Sequence, residues 1–237
     1  MSDEVRAFWE GQISSIQRED DAEFLKHKAR EHVDFISPGD RSLDFIDLGC
    51  GAGELLAELC RHLEIATASD MSSTMLDQAR SRLPEGVDVV QGDGIEVAQK
   101  SLQSGWMSCQ ALNQYLAPEK IDEFLRAFNA SERAEALYLF DSVDPYRYRS
   151  LNDRSRFDGR RVTGGARTRR FIWRWNNRAV NLRRQDWASL GVAMGYGYTP
   201  QFWMDRARMH GLGIAFGSSR YYEYRFHVAI HKDASCS

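Results

Sequence analysis

The sequence predicts a doubly wound α/β fold: a mostly parallel seven-stranded sheet with an antiparallel edge, an N-terminal helical lid and a β-hairpin inserted after the fifth strand. Three observations predict it. Short apolar strand patterns alternate with helical patterns between residues 43 and 143. The first strand runs into a turn with glycine at every second position, Gly49, Gly51 and Gly53, and then into a helix. After the alternation ends, "IAFGSSRYYEYRFHVAIHK" supplies two further strands in antiparallel order.

The elements follow in order. Helical periodicity covers Val5 to Ile16 and Ala22 to Ile36, closed by "SPGD". "LDFIDL" (43–48) reads as a buried strand and Glu54 to His62 as a helix. "IATASD" (65–70) is the second strand, followed by a helix from Ser73 to Arg82, and "VDVVQGD" (87–93) is the third. "WMSCQ" (106–110) reads as the fourth, before a helix from Pro118 to Asn129, and "EALYLFDSV" (135–143) as the fifth. Within Asp144 to Leu190 the run "RRFIWRWNNRAVNLRR" reads as a hairpin. Phe171, Trp173 and Trp175 alternate onto one face, and Asn176-Asn177 suits a tight turn. Thr199 and Pro200 look like the N-cap and first turn of a helix ending near Gly211. The 237 residues suit one domain: a lid (1–40), a ligand-binding core (41–143), a basic aromatic insert (144–190) and a C-terminal helix with strands (191–237).

A net charge of −3 and a pI near 6.1 argue against bulk affinity for nucleic acid or membranes. The insert departs from that average, with 13 Arg against 4 Asp, a local balance of +9. Cys50, Cys60, Cys109 and Cys236 show no C-x-x-C spacing, so free thiols in a reducing compartment are expected. The acidic start "MSDEVRAFWEG" is unlike a signal peptide, and no apolar run is long enough to span a bilayer. A cytoplasmic protein is expected.

Ligands of open α/β sheets bind beyond the carboxyl ends of the strands, and glycines there let a ligand approach the backbone. The dinucleotide fingerprint G-x-G-x-x-G fits poorly. Glu54 takes the place of its third glycine, and the Asp47 carboxylate would repel a pyrophosphate. A ligand with a cationic head suits the turn better. The pattern D-x-G-x-G-x-G over Asp47 to Gly53 resembles the first motif of the class I S-adenosylmethionine-dependent methyltransferases, a Rossmann-like superfamily. The resemblance covers roughly residues 40 to 145.

It implies S-adenosylmethionine as cofactor, met by Asp47, Gly49, Cys50 and Gly51. Asp70 would bind the ribose diol, and Met71 would pack on the adenine. Asp93 would accept from the adenine amino group, beside Gly94 and Ile95. Gln110 stands where the family often has Asn and would offer its strand-end carbonyl to the methionine ammonium. Tyr115 stands where the sulfonium methyl is expected. Taken singly, Asp70 could be a helix cap for "SSTM", and "GDG" a simple turn. Phe8 and Trp9 would belong to a lid over the cofactor, or to a helix packed on the domain.

His210, His227 and His231 are the candidate bases, and the sequence assigns none of them. Arg170 and Arg174 with Trp173 point to an anionic small-molecule acceptor, because Arg forks bind carboxylate and phosphate while Trp offers an apolar face. The same residues could hold RNA by charge and stacking, or form a surface hairpin or homodimer interface. Overall acidity favours the small molecule. The reading is therefore methyl transfer to an O or N atom of a small molecule. The alternatives are an RNA methyltransferase, or an adenosyl-ligand-binding protein without transfer. A nicotinamide oxidoreductase comes last, on Glu54 and Asp47.

Overall fold

The computed structural model describes residues 22–110, 112–150, 186–190 and 195–232. Their elements run α1 (Ala22–Phe35), a 3-10 turn (Pro38–Ser42), β1 (Asp44–Leu48), α2 (Glu54–Leu59), β2 (Glu64–Asp70) and α3 (Ser73–Arg82). β3 (Asp88–Gln91), α4 (Gly94–Lys100), β4 (Gly105–Ser108), a second 3-10 turn (Leu112–Tyr115), α5 (Pro118–Ala130) and β5 (Ala136–Val143) complete the alternation. Then come α6 (Pro145–Ser150), β6 (Trp187–Ser189), β7 (Tyr196–Tyr198), α7 (Pro200–Met209), β8 (Leu212–Ser218) and β9 (Arg225–Lys232).

Seven strands form one sheet in the order β3-β2-β1-β4-β5-β9-β8. The first five are parallel, and β9 is antiparallel to both β5 and β8. The order reverses between β1 and β4, which opens a crevice at their carboxyl ends. The last strand is thus an interior strand, and β8 is the edge.

Alternation along β5 shows why both faces must be covered. Leu137 and Leu139 join an apolar cluster with Trp106, Phe124, Phe128 and Trp203, under α4, α5 and α7. Ala136, Tyr138 and Phe140 join the opposite cluster with Leu25, Ala29, Leu55, Leu56 and Leu76, under α1, α2 and α3. All eight residues of β5 are buried, as expected of a strand covered on both sides. The helices start where their sequences say they should. Ser72 caps α3 by accepting the Met75 N–H at 3.3 Å, and Thr199 caps α7 by accepting that of Phe202 at 3.1 Å.

The differences from the sequence reading are local. α4 and α6 are added, and β6 and β7 pair as a separate two-stranded ribbon. The expected helix over residues 5–16 and the hairpin over 169–184 lie outside the described residues. No helix among the described residues is long and apolar enough to cross a membrane.

Candidate functional site

The glycine turn is bare because its backbone demands it. Gly49, Gly51 and Gly53 have φ of 78°, 56° and 80°, the left-handed region that side chains penalise. Main-chain bonds pin the turn to the next strand, since the N–H groups of Gly49 and Cys50 both donate to the Ser69 carbonyl at 2.8 Å. Asp70 adds a second tie. Its Oδ2 accepts the Gly51 N–H and its Oδ1 the Ser72 N–H, each at 2.9 Å. Asp70 is therefore a positioning group for the turn as well as an acid at the crevice. The helix cap itself is Ser72.

The other strand ends converge on the same crevice. Asp93 caps α4, its Oδ1 accepting the Ile95 N–H at 2.9 Å. Gly92 donates to the Asp70 carbonyl at 3.0 Å, tying β3 to β2. Gln110 reaches from the end of β4 and donates through Nε2 to the Cys50 carbonyl at 3.1 Å. Leu112, which the sequence reading passed over, covers the crevice from the second 3-10 turn. A Cβ at Gly49 would lie 3.2 Å from Leu112 Cβ, and one at Gly94 only 2.8 Å from its Cδ2. A side chain at position 94 would have to push the tip of that leucine aside. Met71 is half-buried, and its carbonyl accepts from Gln91 Nε2 at 3.2 Å.

Two of the expected site residues lie deep in the structure. Asp47 does not stand open beside the turn. It is fully buried, and its oxygens accept the Cys109 N–H at 2.8 Å and the Cys109 thiol at 3.1 Å. Its carboxylate locks the end of β1 to the end of β4. Burial pushes its pKa up to about 6, against the pull of Cys109 and with help from nearby Asp70. Ile95 is 3 % exposed and packs in the core cluster that holds Leu48, Ala98 and Leu112.

Tyr115 is buried on the second 3-10 turn. The β6–β7 ribbon roofs that turn: a Cβ at Gly195 would lie 3.2 Å from the Tyr115 ring and 2.0 Å from the Gln114 carbonyl oxygen. Arg170, Trp173, Arg174, Phe8 and Trp9 lie outside the described residues. Of the histidines, His231 pairs with Ala136 at the amino end of β5, the edge away from the glycine turn, and lies 2.8 Å from Asp40. His210 ends α7 as its C-cap, 3.4 Å from Asp122. His227 is 1 % exposed. None of the three stands open at the crevice.

Acids predominate around the turn, although Arg82 donates to the Ala52 carbonyl at 2.8 Å and lies 3.8 Å from Glu54. Burial raises the Cys50 thiol pKa first, and the carboxylates of Asp47, Asp70 and Glu54 raise it further. A turn surrounded by acids disfavours phosphate and favours a cationic ligand.

The comparisons agree with this geometry. Residues 45–132 match the family described as a methyltransferase domain. No curated protein sequence matches the chain. Among solved structures, magnesium protoporphyrin IX methyltransferase from Synechocystis PCC 6803, with bound S-adenosylmethionine, is 16% identical. It superposes with a TM-score of 0.55, over 94% of this chain and 86% of that one. An S-adenosylmethionine-dependent methyltransferase from Archaeoglobus fulgidus is 15% identical, with a TM-score of 0.56 over 90% and 94% of the two chains. DesVI from Streptomyces venezuelae is 15% identical, with a TM-score of 0.55 over 86% and 91%. Strand order and glycine turn define a class I methyltransferase fold. The domain match over residues 45–132 falls on the same cofactor-side half of the sheet, from β1 to the end of α5.

Replacing Asp70 by Ala should weaken S-adenosylhomocysteine binding by about 1.5–3 kcal/mol, the range for hydrogen bonds to a charged group. Ser72→Ala should leave binding unchanged, because it removes only the cap of α3. Calorimetry on both variants checks the pair, and equal losses would mean that Asp70 acts only through α3. For Asp47, the folded carboxyl is raised above its ordinary 3.8. The folded state therefore binds more protons than the unfolded one between about pH 4 and 6. Stability should fall as pH rises through that window, by at most ~3 kcal/mol from this group, and Asp47→Asn should flatten the slope in urea denaturation.

Proposed function

We propose that the protein transfers a methyl group from S-adenosylmethionine to an O or N atom of a small-molecule acceptor carrying an anionic group. The observation that carries the cofactor half is the acid-flanked, glycine-rich turn tied down by Asp70. Gly49, Cys50 and Gly51 would let the methionine end lie on the backbone. The acids around the turn would favour its ammonium and sulfonium charges. Asp70 would take the ribose, while Asp93, Met71 and Gly94 would border the adenine, with Leu112 covering it.

Transfer is an in-line displacement. A lone pair on the acceptor attacks the methyl carbon, and the carbon–sulfur bond breaks with its electrons passing to sulfur. The acceptor then sheds its proton. The charged sulfonium becomes a neutral thioether, so the acid-flanked turn holds product less strongly than substrate. Alignment supplies much of the rate in such reactions, and no described histidine is placed to act as base. The acceptor side is the carboxyl edge beyond β4 and β5, roofed by the β6–β7 ribbon at the base of the insert.

Titration calorimetry should give binding of S-adenosylmethionine and S-adenosylhomocysteine and none of NAD. The reverse result would sink the cofactor half of the reading. For the acceptor half, Arg170→Ala with Arg174→Ala should raise the acceptor Michaelis constant. Cofactor affinity should stay within about twofold, roughly 0.4 kcal/mol. The excess of Arg in the insert also supports RNA as acceptor; methylation that requires added RNA and falls steeply with salt would establish that reading instead.

A further inference from the structure

The inner face of α1 carries a buried charge cluster. Lys28 is almost fully buried, and its Nζ donates to Glu31 Oε2 at 2.7 Å and to Asp141 Oδ1 at 2.9 Å. Glu31 Oε1 accepts the Arg220 N–H from the β8–β9 loop and lies 3.4 Å from His227 Nε2. Asp141 sits at the bulge of β5 with φ 56°, the one described non-glycine residue at positive φ. Such a conformation costs of order 1–3 kcal/mol and persists where its surroundings hold it. Here the Asp141 N–H donates to His227 Nδ1 at 3.2 Å, and its Oδ2 lies 3.9 Å from Arg225. The two carboxylates are balanced by Lys28 and Arg225.

His32 is the misfit. It is fully buried, stacked on Phe140 at 3.8 Å between centroids and edge-on to His227 at 5.5 Å, and neither ring nitrogen has a hydrogen-bond partner among the described residues. Glu31, His32 and His227 each offer a ligand atom within 4.8 Å of the others. A divalent ion there would join two cations in a cluster already neutral, so the resident cation is Lys28. The neutral imidazole then has a different consequence. Protonated, it would add a cation beside Lys28, with no carboxylate beyond Glu31 and Asp141 in the cluster among the described residues.

We propose that this cluster is an acid-release latch, in which protonation of His32 undocks α1 from β5 and β9. The groups facing it are Lys28 and Glu31 on α1, Asp141 on β5, and His227 and Arg225 on β9. The β8–β9 loop adds the Arg220 N–H together with Tyr221 and Tyr222, whose rings lie over Lys28. Burial holds the His32 pKa well below its ordinary 6.5, Lys28 and His227 lower it further, and Asp141 opposes them. A lowered histidine favours the docked state fully above about pH 6.5 and progressively less below it. Burial raises Glu31 and Asp141, but Lys28 and His227 outweigh it at both, aided at Asp141 by Arg225, and hold both carboxyls below their ordinary values. Their contribution persists until the pH nears 4, so His32 acts first. Release would reach the cofactor crevice, because Leu25 and Ala29 of α1 share an apolar cluster with Cys50 of the glycine turn.

Hydrogen exchange of the whole protein, corrected for the intrinsic rate, reads the latch directly. Opening of residues 24–35 should rise by up to about tenfold per pH unit below 6.5, while β4 (105–108) stays protected. In His32→Phe, which keeps a ring on Phe140, that rise should vanish. The His32 ring signal in NMR should remain neutral in the docked state, a measurement that needs no variant. Flat exchange between pH 7.5 and 5, an unchanged slope in His32→Phe, or the same slope in β4 would each overturn the proposal.

Discussion

Everything at the crevice depends on two carboxylate oxygens of Asp70 and the backbone N–H groups they take. The turn after β1 has three residues in the left-handed region, so it has little intrinsic preference for one path. Asp70 holds Gly51 on one side and Ser72 on the other, fixing the separation of the β1 and β2 turns. A ligand lying across both turns meets a surface already organised, without ordering the loop as it binds.

Most of the fold was legible because its signals are local. Alternation of short apolar strands with helical patterns called for a parallel sheet, and the "SSTM" and "TPQF" starts marked helix ends that Ser72 and Thr199 do cap. The β6–β7 ribbon was not legible, since three-residue strands on either side of a loop carry almost no periodic signal. At the site, the spacing of Asp70 and Asp93 after the glycine turn located both at strand ends. The partner of Asp47 was not legible, because motif position says nothing about which way a side chain turns. Its contact is Cys109, 62 residues on, a pairing set by which strands become neighbours. Leu112 was missed for a similar reason: its importance lies in the glycines it approaches.

The two faces of the sheet divide the work. Under α4, α5 and α7 the packing is aromatic and apolar, with Trp106 stacked on Phe124 and Trp203 donating to Ser142 at 3.1 Å. Under α1 the sheet carries polar fastenings at both ends of the helix. Lys28 and Glu31 engage Asp141 near the carboxyl edge. Beyond the helix, Asp40 accepts from Tyr138 Oη at 2.5 Å and contacts His231 at 2.8 Å near the amino edge. Apolar contacts tolerate small slides, whereas hydrogen-bonded charges specify one register. α1 is thus the element whose placement is most exactly prescribed and most sensitive to proton activity.

The interior position of β9 bears on how the chain is made. β9 lies between β5 and β8, and its His227 and the adjacent Arg220 complete the bonds to α1, whose own residues emerge nearly two hundred positions earlier. During synthesis the N-terminal helix would leave the ribosome with Lys28, Glu31 and His32 exposed and nothing to dock against. α2 and the parallel strands from β1 to β5 can assemble beneath it, but the bond from the Arg220 N–H to Glu31 and the contact with His227 form only once β9 is translated. Closing so long a loop is entropically slow. The helix must therefore remain soluble by itself in the meantime, and its exposed Glu23, Lys26, His27, Arg30 and Asp34 keep it so.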